Sequence, residues 1–256
     1  MKWSTPLYRL YEHQLVKKLP ADRMPAHIGV ILDGHRRFAH QERHVDYTKS
    51  YRRGVTKLEE FLGWCAQLEI PAVTAWVLST DNLGRPPDEL EPLFGVLGEL
   101  LAGMPALASR LGFSLQVIGS IDLLPNALAV AVKEAERDSQ SGGWQFNLAL
   151  GYGGRQEIVD ACQSLILELL SNGIAPEHLA EHIDTVRLSQ HLYASNLPDP
   201  DLVIRTSGEA RLSGFLLWQA AYSEFVFVDP YWPDFRRVDF LRALRDYAHR
   251  ERRFGR

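Results

Sequence analysis

The sequence predicts a single α/β domain with a central six-stranded, mostly parallel sheet flanked by helices. Six short apolar runs, rich in β-branched residues, each end in small or polar residues. Helix-length amphipathic stretches separate most of these runs, as in sheets covered on both faces. No linker or internal repeat divides residues 1–256, and the Pro-rich points 85–87 and 198–200 are typical of loops inside one domain.

The elements follow in order from these patterns. The predicted strands are 27–32, 72–78, 114–118, 145–150, 202–204 and 225–228. The predicted helices between or after them are 54–68, 87–101, 127–138, 156–170 and 238–250. Residues 1–22 alternate apolar and charged side chains, so we expect an amphipathic helix there and not a signal peptide.

Composition excludes several classes of function. The formal net charge of −4 gives no overall basic field for nucleic acid. No apolar run approaches the roughly 20 residues that span a bilayer. We therefore expect a cytoplasmic protein with at most peripheral membrane contact through its N-terminal helix, which otherwise covers the core or a partner subunit. The two cysteines, Cys65 and Cys162, are expected to be buried thiols.

Polar side chains gather where the predicted strands end. These residues are Asp33, Ser79, Asn82, Arg155 and Arg205. Open α/β sheets bind ligands at the carboxyl ends of their strands. The sequence therefore predicts a ligand site at this edge of the sheet.

Two segments have the chemistry of anion sites. In the segment 33–37, a carboxylate (Asp33) and a glycine precede Arg36 and Arg37, whose planar side chains match phosphate oxygens. A carboxylate beside phosphate needs an intervening cation, and Mg²⁺ prefers one or two carboxylates with substrate phosphates. A plain Asp-Gly turn with solvated arginines is the alternative.

The second segment, 205–213, combines two arginines, two hydroxyls and small residues, which suits a second anionic group. Glu209 is expected to orient one of the arginines. The alternative is a polar loop with an internal salt bridge.

Other motifs are weaker. The glycine-rich turn 151–155 lacks the G-x-G-x-x-G spacing of dinucleotide sites, and no P-loop lysine pattern or serine nucleophile elbow is present. His40 and His44 are four residues apart but lack the glutamate of a zinc-protease helix, so a solvated helix face is expected.

Four segments together resemble the cis-prenyltransferases, the undecaprenyl diphosphate synthase-like enzymes. They are HIGVILDGHRRFAH, LSTDNLGRPPDE, LGYGGRQEIVDA and DLVIRTSGEARLSGFLLWQAAYSEFVFVDPYWPDF. The chain is most similar in appearance to actinobacterial short-chain enzymes that make Z,E-farnesyl diphosphate. The resemblance implies the cis-prenyltransferase fold, a homodimer, Mg²⁺ and isoprenoid diphosphate substrates.

The resemblance also implies site residues. Catalytic roles fall on Asp33, His35 and Asn82, and metal binding on Asp33 and Glu224. The diphosphates are expected at Gly34, Arg36, Arg37, Phe38, Ser79, Arg85, Arg205, Arg211 and Ser213, with the latter three binding the second substrate.

The chain departs from the family pattern at several positions. His35 replaces an asparagine, Phe38 a tryptophan and Ala210 a histidine, while Tyr47 and Tyr51 fall near an arginine and a histidine of the long-chain enzymes. His35 is the most informative, because it is expected beside the leaving group, where negative charge favours the imidazolium.

The expected reaction is Mg²⁺-dependent coupling of isopentenyl diphosphate to an allylic diphosphate. Leu93, Phe94 and Leu97 are expected to form an apolar wall that limits the product to a short chain. Two alternatives remain: head-to-middle coupling to dimethylallyl diphosphate, giving a lavandulyl-type product, and a non-catalytic partner subunit.

Overall fold

Six strands form one sheet in which every pairing is parallel. The computed structural model describes residues 6–43, 46–140 and 142–250. The strands are β1 (His27–Ile31), β2 (Ala72–Trp76), β3 (Phe113–Ile118), β4 (Trp144–Ala149), β5 (Leu202–Arg205) and β6 (Glu224–Phe227). Their order is β3-β4-β2-β1-β5-β6. The predicted six-stranded α/β sheet is confirmed.

The position of β1 in this order decides where a ligand can bind. The chain places β2 on one side of β1 and β5 on the other, so the order of the strands reverses there. Loops diverge at such a point and leave a crevice at the carboxyl ends of the strands. Asp33, which follows β1 after one residue, lies at this crevice.

Eight α-helices surround the sheet in the described residues. They are α1 (Pro6–Lys18), α2 (His35–Gln41), α3 (Thr48–Gln67), α4 (Pro87–Leu111), α5 (Asn126–Arg137), α6 (Gly154–Ser171), α7 (Thr185–Gln190) and α8 (Arg237–His249). The helix expected around Arg36, Arg37 and His40 is α2, whereas the short helix α7 was missed and α4 was ended ten residues early. Pro105 inside α4 was a misleading stop signal, whereas Gly112, with φ of 77°, is where the helix ends.

Apolar residues cover both faces of the sheet. On one face, α3, α4, α5 and α8 build the larger core, which includes Leu58, Phe61 and Phe240. On the other face, Trp76, Tyr152 and Phe215 form a smaller aromatic cluster. All five residues of β1 are buried, which is typical of the central strand in a doubly covered parallel sheet.

Helix α4 is the one described helix that is long and apolar enough to cross a membrane. The expectation that no apolar segment is long enough to span a bilayer is therefore wrong by the length and composition of this helix. Its apolar side is nevertheless buried: Leu93, Val96, Leu97, Leu100, Leu101 and Met104 are all at most 6% exposed. That burial is the pattern of a core helix.

The N-terminal helix packs on the domain, as predicted. Leu15 is buried in the main core, and Arg242 of α8 lies 5.5 Å from the ring centroid of Tyr11. Leu10 faces away and is 56% exposed. Cys65 is buried and Cys162 half-buried, both as free thiols.

Candidate active site

A cavity of ≈ 590 Å³ opens at the carboxyl end of the sheet. This volume lies within the range of small-molecule sites. One end is charged and is lined by Asp33, Arg36, Arg37, Asp81, Asn82, Arg85, Arg205, Arg211 and Ser213. The other end is apolar and is lined by Val55, Leu58, Val77, Leu93, Val96, Leu97, Leu100 and Trp232. The cavity therefore suits a molecule with an anionic head and a hydrocarbon tail.

Asp33 is held by two arginines from different elements. Arg205, the last residue of β5, donates from Nη2 to Asp33 Oδ2 at 2.7 Å, and Arg37 Nη2 lies 3.5 Å from Oδ1. Burial raises the pKa of Asp33, but bonds from Arg205 and Ser207 and the charges of Arg205 and Arg37 outweigh it and lower the pKa. The carboxylate is therefore ionised at neutral pH.

Arg205 organises the second predicted segment. Its side chain is 5% exposed, and Nη1 donates to Ser213 Oγ at 2.7 Å and to the carbonyl of Arg211. Its Nε is buried and has no hydrogen-bond partner among the described residues. A buried donor of this kind is destabilising unless a ligand or water completes it.

Backbone strain marks the same loop. Ser207 and Ser213 have φ of 80° and 51°, in the left-handed region that favours glycine. Their hydroxyls accept from Arg37 Nη2 at 2.7 Å and from Arg205 Nη1. Strained serines that fix two arginines are typical of a functional loop.

Glu209 connects the arginines of the two segments. Its carboxylate accepts from Arg37 at 3.0 Å and pairs with Arg211. The prediction that Glu209 orients an arginine is confirmed, because its carboxylate contacts both Arg37 and Arg211. Arg211 remains 62% exposed, so its other N–H groups are free to face the cavity.

Gly34 has a conformation that its glycine identity explains. Its φ is 107°, and a Cβ there would lie 2.7 Å from Tyr231 Cδ1 and 3.1 Å from Tyr231 Cα. Any side chain would strain the backbone and push on a neighbouring main chain. Gly34 thus allows the chain to turn sharply from Asp33 into α2.

The loop after β2 contributes three predicted residues. Ser79 Oγ accepts from the backbone N–H of Asn82 at 3.1 Å and so fixes the turn that presents Asn82 to the cavity. Arg85 follows this turn, lines the cavity and forms no ion pair with the described residues. Arg36 differs, because it pairs with Glu89 at 3.5 Å.

His35 lies in a tight pocket against α3. Its Nδ1 is 3.3 Å from the carbonyl oxygen of Ser50, and its ring centroid is 5.5 Å from that of Tyr51. Burial, more than any charge, lowers the pKa of His35 to about 4. His35 is therefore neutral at pH 7 in the free protein, and the imidazolium expected beside a bound diphosphate stays a prediction.

The apolar end differs in detail from the predicted wall. Leu93 and Leu97 line the cavity, and so do Val96 and Leu100, which the sequence missed. Positions 93, 96, 97 and 100 share one side of a helix, whereas Phe94 points to the next side. Phe94 does not line the cavity and packs half-buried on the core, so nothing in the described cavity supports its predicted place in the wall, which stays a prediction.

Three other predicted residues lie away from the cavity. Phe38 is buried beneath Arg53, whose guanidinium lies 5.0 Å from the ring centroid. Arg155 is exposed at the start of α6. Glu224 begins β6, pairs with Leu202 in the sheet and binds Arg250 at 2.6 Å, so it lies at the opposite end of the strands from Asp33. A metal role for Glu224 stays a prediction and needs a second subunit.

Of the histidine pair 40 and 44, the structure describes only His40. His44 lies outside the described residues, and His40 lines the cavity with its ring 6.0 Å from that of Tyr47. The described residues contain no group of three His, Cys, Asp or Glu side chains able to hold a metal ion.

Sequence reasoning noted Tyr51 only as a departure from the family pattern and missed Gly54 and Trp232, although all three line the cavity. A glycine inside an amphipathic helix was the available signal for Gly54, because glycine is unfavourable there without a packing reason. Trp232 gave no signal, since its contact with α3 joins residues 178 positions apart.

Comparisons with known proteins show the family of the chain. The family pattern described as putative undecaprenyl diphosphate synthase matches residues 31–255. A (2Z,6E)-farnesyl diphosphate synthase of Thermobifida fusca is 49% identical over 251 residues, which cover 98% of this chain and 97% of the relative. A short-chain Z-isoprenyl diphosphate synthase of Mycobacterium bovis is 46% identical over 254 residues, covering 98% and 96%.

A solved structure is similar over nearly the whole chain. The crystal structure of lavandulyl diphosphate synthase from Lavandula x intermedia, in complex with dimethylallyl diphosphate, superposes with a TM-score of 0.85 at 35% identity. The match covers 92% of this chain and 100% of that one. The sheet, the charged and apolar cavity and these relatives lead to one assignment: the chain belongs to the undecaprenyl diphosphate synthase-like cis-prenyltransferases and is a prenyl-transferring enzyme.

Proposed function

We propose that this enzyme couples an allylic diphosphate, dimethylallyl or geranyl, to isopentenyl diphosphate and releases a short prenyl diphosphate. The observation that carries the proposal is the division of one cavity into a cationic end around Asp33 and an apolar end closed by α4. Relatives that are 46–49% identical and are named as short-chain or farnesyl diphosphate synthases support the short product.

Two sets of cations are available for two diphosphates. Arg36, Arg37 and Arg85 belong to the first part of the chain, and we assign the allylic diphosphate to them. Arg205, Arg211 and Ser213 belong to the second loop, and we assign the isopentenyl diphosphate to them. Arg205 Nε has no hydrogen-bond partner among the described residues, and the guanidinium of Arg211 is exposed. Both support an anionic ligand at this second loop.

Asp33 fits a magnesium ion that is shared with the substrate. Its pKa is lowered, so an ionised carboxylate lines the cavity, with Arg37 Nη2 at 3.5 Å from Oδ1. Mg²⁺ commonly takes one or two carboxylates and completes its shell with substrate phosphate oxygens and water. When bound, it would stabilise negative charge on the departing diphosphate. We propose Asp33 as its protein ligand within the protomer.

The residues of the chain supply the remaining chemistry. Ionisation of the allylic substrate leaves negative charge on its diphosphate, and the arginines around Asp33 are fixed in place to stabilise that charge. The allylic cation is attacked by the double bond of the second substrate, and a proton then leaves. The apolar lining from Val55 to Trp232 excludes the water that would otherwise trap the cation.

Head-to-middle coupling is the second candidate. It is favoured by the similarity to lavandulyl diphosphate synthase and by His35, which stands where most of the family has asparagine. The relatives at 46–49% identity favour head-to-tail coupling instead. The presence of Asp33 and its arginines disfavours a non-catalytic subunit.

Product analysis distinguishes these functions. The purified protein is incubated with Mg²⁺ and each pair of five-carbon and ten-carbon diphosphates, and the dephosphorylated products are identified by chromatography and mass spectrometry. We expect a linear product that requires isopentenyl diphosphate. A branched product from dimethylallyl diphosphate alone would establish the head-to-middle reaction, and no product from any pair would contradict both.

We also propose a cytoplasmic homodimer with at most peripheral membrane contact. Glu224 begins β6 at the amino end of the strands, whereas Asp33 lies at their carboxyl end. The predicted metal role of Glu224 therefore requires a second copy of the chain. Sedimentation of the wild type tests whether the protein is a dimer. The Mg²⁺ dependence of the activity of a Glu224→Gln variant tests the metal role of Glu224. A monomeric active enzyme would contradict it.

A further inference from the structure

Gly54 occupies the interior of α3, where glycine is unfavourable relative to alanine because its backbone loses more freedom on folding. A Cβ at this position would lie 2.1 Å from His35 Cε1, 3.0 Å from Nε2 and 3.1 Å from Nδ1. All three nearest atoms thus belong to one imidazole ring. The ring of His35 fills the space that a side chain at residue 54 would need.

Neither partner is free to move away. Ser50 is fully buried, and its hydroxyl donates to the carbonyl of His35 at 2.8 Å, while its own carbonyl faces His35 Nδ1. The carbonyl of Gly54 accepts from the indole N–H of the buried Trp232 at 2.9 Å. These bonds fix the ring from one side and the helix backbone from the other.

Both residues of this contact line the cavity. His35 follows Asp33 and Gly34 in the chain and lines the cavity with them. Gly54 precedes Val55, which begins the apolar lining contributed by α3. A change in the volume of this pair therefore changes the width of the passage from the charged end to the apolar end.

We propose that His35 and Gly54 form a size-matched pair that sets this width and thereby selects the allylic chain that the enzyme accepts. The packing part stands on the geometry alone, whereas the choice of allylic chain rests on the proposed function. In this role His35 acts by its shape, and an asparagine at position 35 would leave a gap beside Gly54.

A double-mutant cycle tests the pair, since contacting residues do not act additively. In the wild type, the methyl group added by Gly54→Ala collides with the imidazole ring of His35, so we expect a lower Tm and lower activity. In the His35→Asn background the same change fills the gap and improves the helix, so we expect a higher Tm. Should Gly54→Ala alone not fold, recovery of folding in the double variant gives the same answer.

Gly63 provides the matched control in the same helix, because a Cβ there would meet nothing within 4 Å. We expect Gly63→Ala to raise the Tm by about 2–4 °C in both backgrounds, from helix propensity alone. If Gly54→Ala shifts the Tm equally with and without His35, the pair does not exist.

The functional readout is the ratio of kcat/KM for geranyl diphosphate to that for dimethylallyl diphosphate. We expect His35→Asn to raise this ratio by about tenfold, as for other pocket size changes, and Gly54→Ala in that background to restore it. Gly54→Ala could lower the Tm in the wild type and raise it in the His35→Asn background while the kcat/KM ratio stays unchanged. That result would show that the pair affects packing only and would overturn its role in selecting the allylic chain. A wild type that converts neither donor would refute the proposed function, while the Tm cycle would still decide the packing.

Discussion

At the amino end of β1, His27 has a partner for each ring nitrogen: the carbonyl of Pro198 at 2.7 Å and Thr74 Oγ1 at 2.8 Å. At the carboxyl end, Arg205 leaves a buried Nε without a partner in the described residues, and Ser207 and Ser213 have left-handed backbones. At the first end the buried His27 is fully satisfied, as a structural polar group must be in a protein core. The second is charged, strained and incomplete, as expected where a ligand completes the network.

The difference separates polar groups that stabilise the fold from polar groups that await a substrate. Both ends are built on the same strands and are similarly rich in polar residues, so composition alone does not distinguish them. Unsatisfied hydrogen-bond donors and left-handed φ values distinguish the two ends. Substitutions at the two ends should therefore move different quantities, activity at one and stability at the other.

Asp33→Ala should produce the largest loss of activity. Losing an electrostatic element of the transition state lowers kcat by about 100-fold or more. We expect the variant to fold but to be less stable, because Asp33→Ala also removes the carboxylate that pairs with the buried guanidinium of Arg205. Steady-state kinetics in Mg²⁺ and urea unfolding measure the two effects. Near-normal turnover by the folded variant would remove Asp33 from the site.

Arg211→Ala tests the charged end at an exposed position. Loss of one charge-assisted contact costs about 1.5–3 kcal/mol, so KM for isopentenyl diphosphate should rise about tenfold or more. Stability should not change, because Arg211 pairs only with Glu209 at the surface. Arg37→Ala is the companion variant and should raise KM mainly for the allylic donor. Equal effects of both variants on both KM values would contradict two separate diphosphate sites.

Leu97→Ala should lengthen the products, because Leu97 is buried and closes the apolar end of the cavity. Its removal also costs about 2–5 kcal/mol of stability, so the assay is run well below the Tm. Phe94→Ala is the control from the same helix, and we expect it to leave product length unchanged. Mass spectrometry of the dephosphorylated products decides. A longer product from Phe94→Ala but not from Leu97→Ala would reverse the assignment of the wall.

The smallest effect should be seen at the amino end of the sheet. Burial lowers the pKa of His27, more than Pro198 and Asp201 raise it. Between the ordinary histidine pKa of about 6.5 and the lower folded value, the unfolded chain binds more protons, so stability falls as the pH falls through this range. Urea midpoints at pH 7 and pH 5 measure the slope. His27→Gln should reduce the slope without affecting substrate KM, and an unchanged slope would exclude His27 as its cause.

Much of the fold was predictable because local patterns report it directly. The strands are short apolar runs bounded by polar residues, and α3 to α6 and α8 carry amphipathic repeats of helical period. The missed helix α7 has six residues, too few to show a period. The residues of the charged end were also predictable, since Asp33, Arg36, Arg37, Arg205 and Arg211 stand next to strand ends.

The sequence by itself determined the α/β class, the edge of the sheet at which the site lies and the chemical nature of its charged end, because strand periodicity and arginine-rich loops are local features. Only the tertiary structure decided the rest. It placed Val96 and Leu100, and not Phe94, beside Leu93 and Leu97 on the cavity, since the side of a helix that meets a cavity depends on packing against α3. It also joined His35 to Gly54, because burial and contact arise only when distant segments meet.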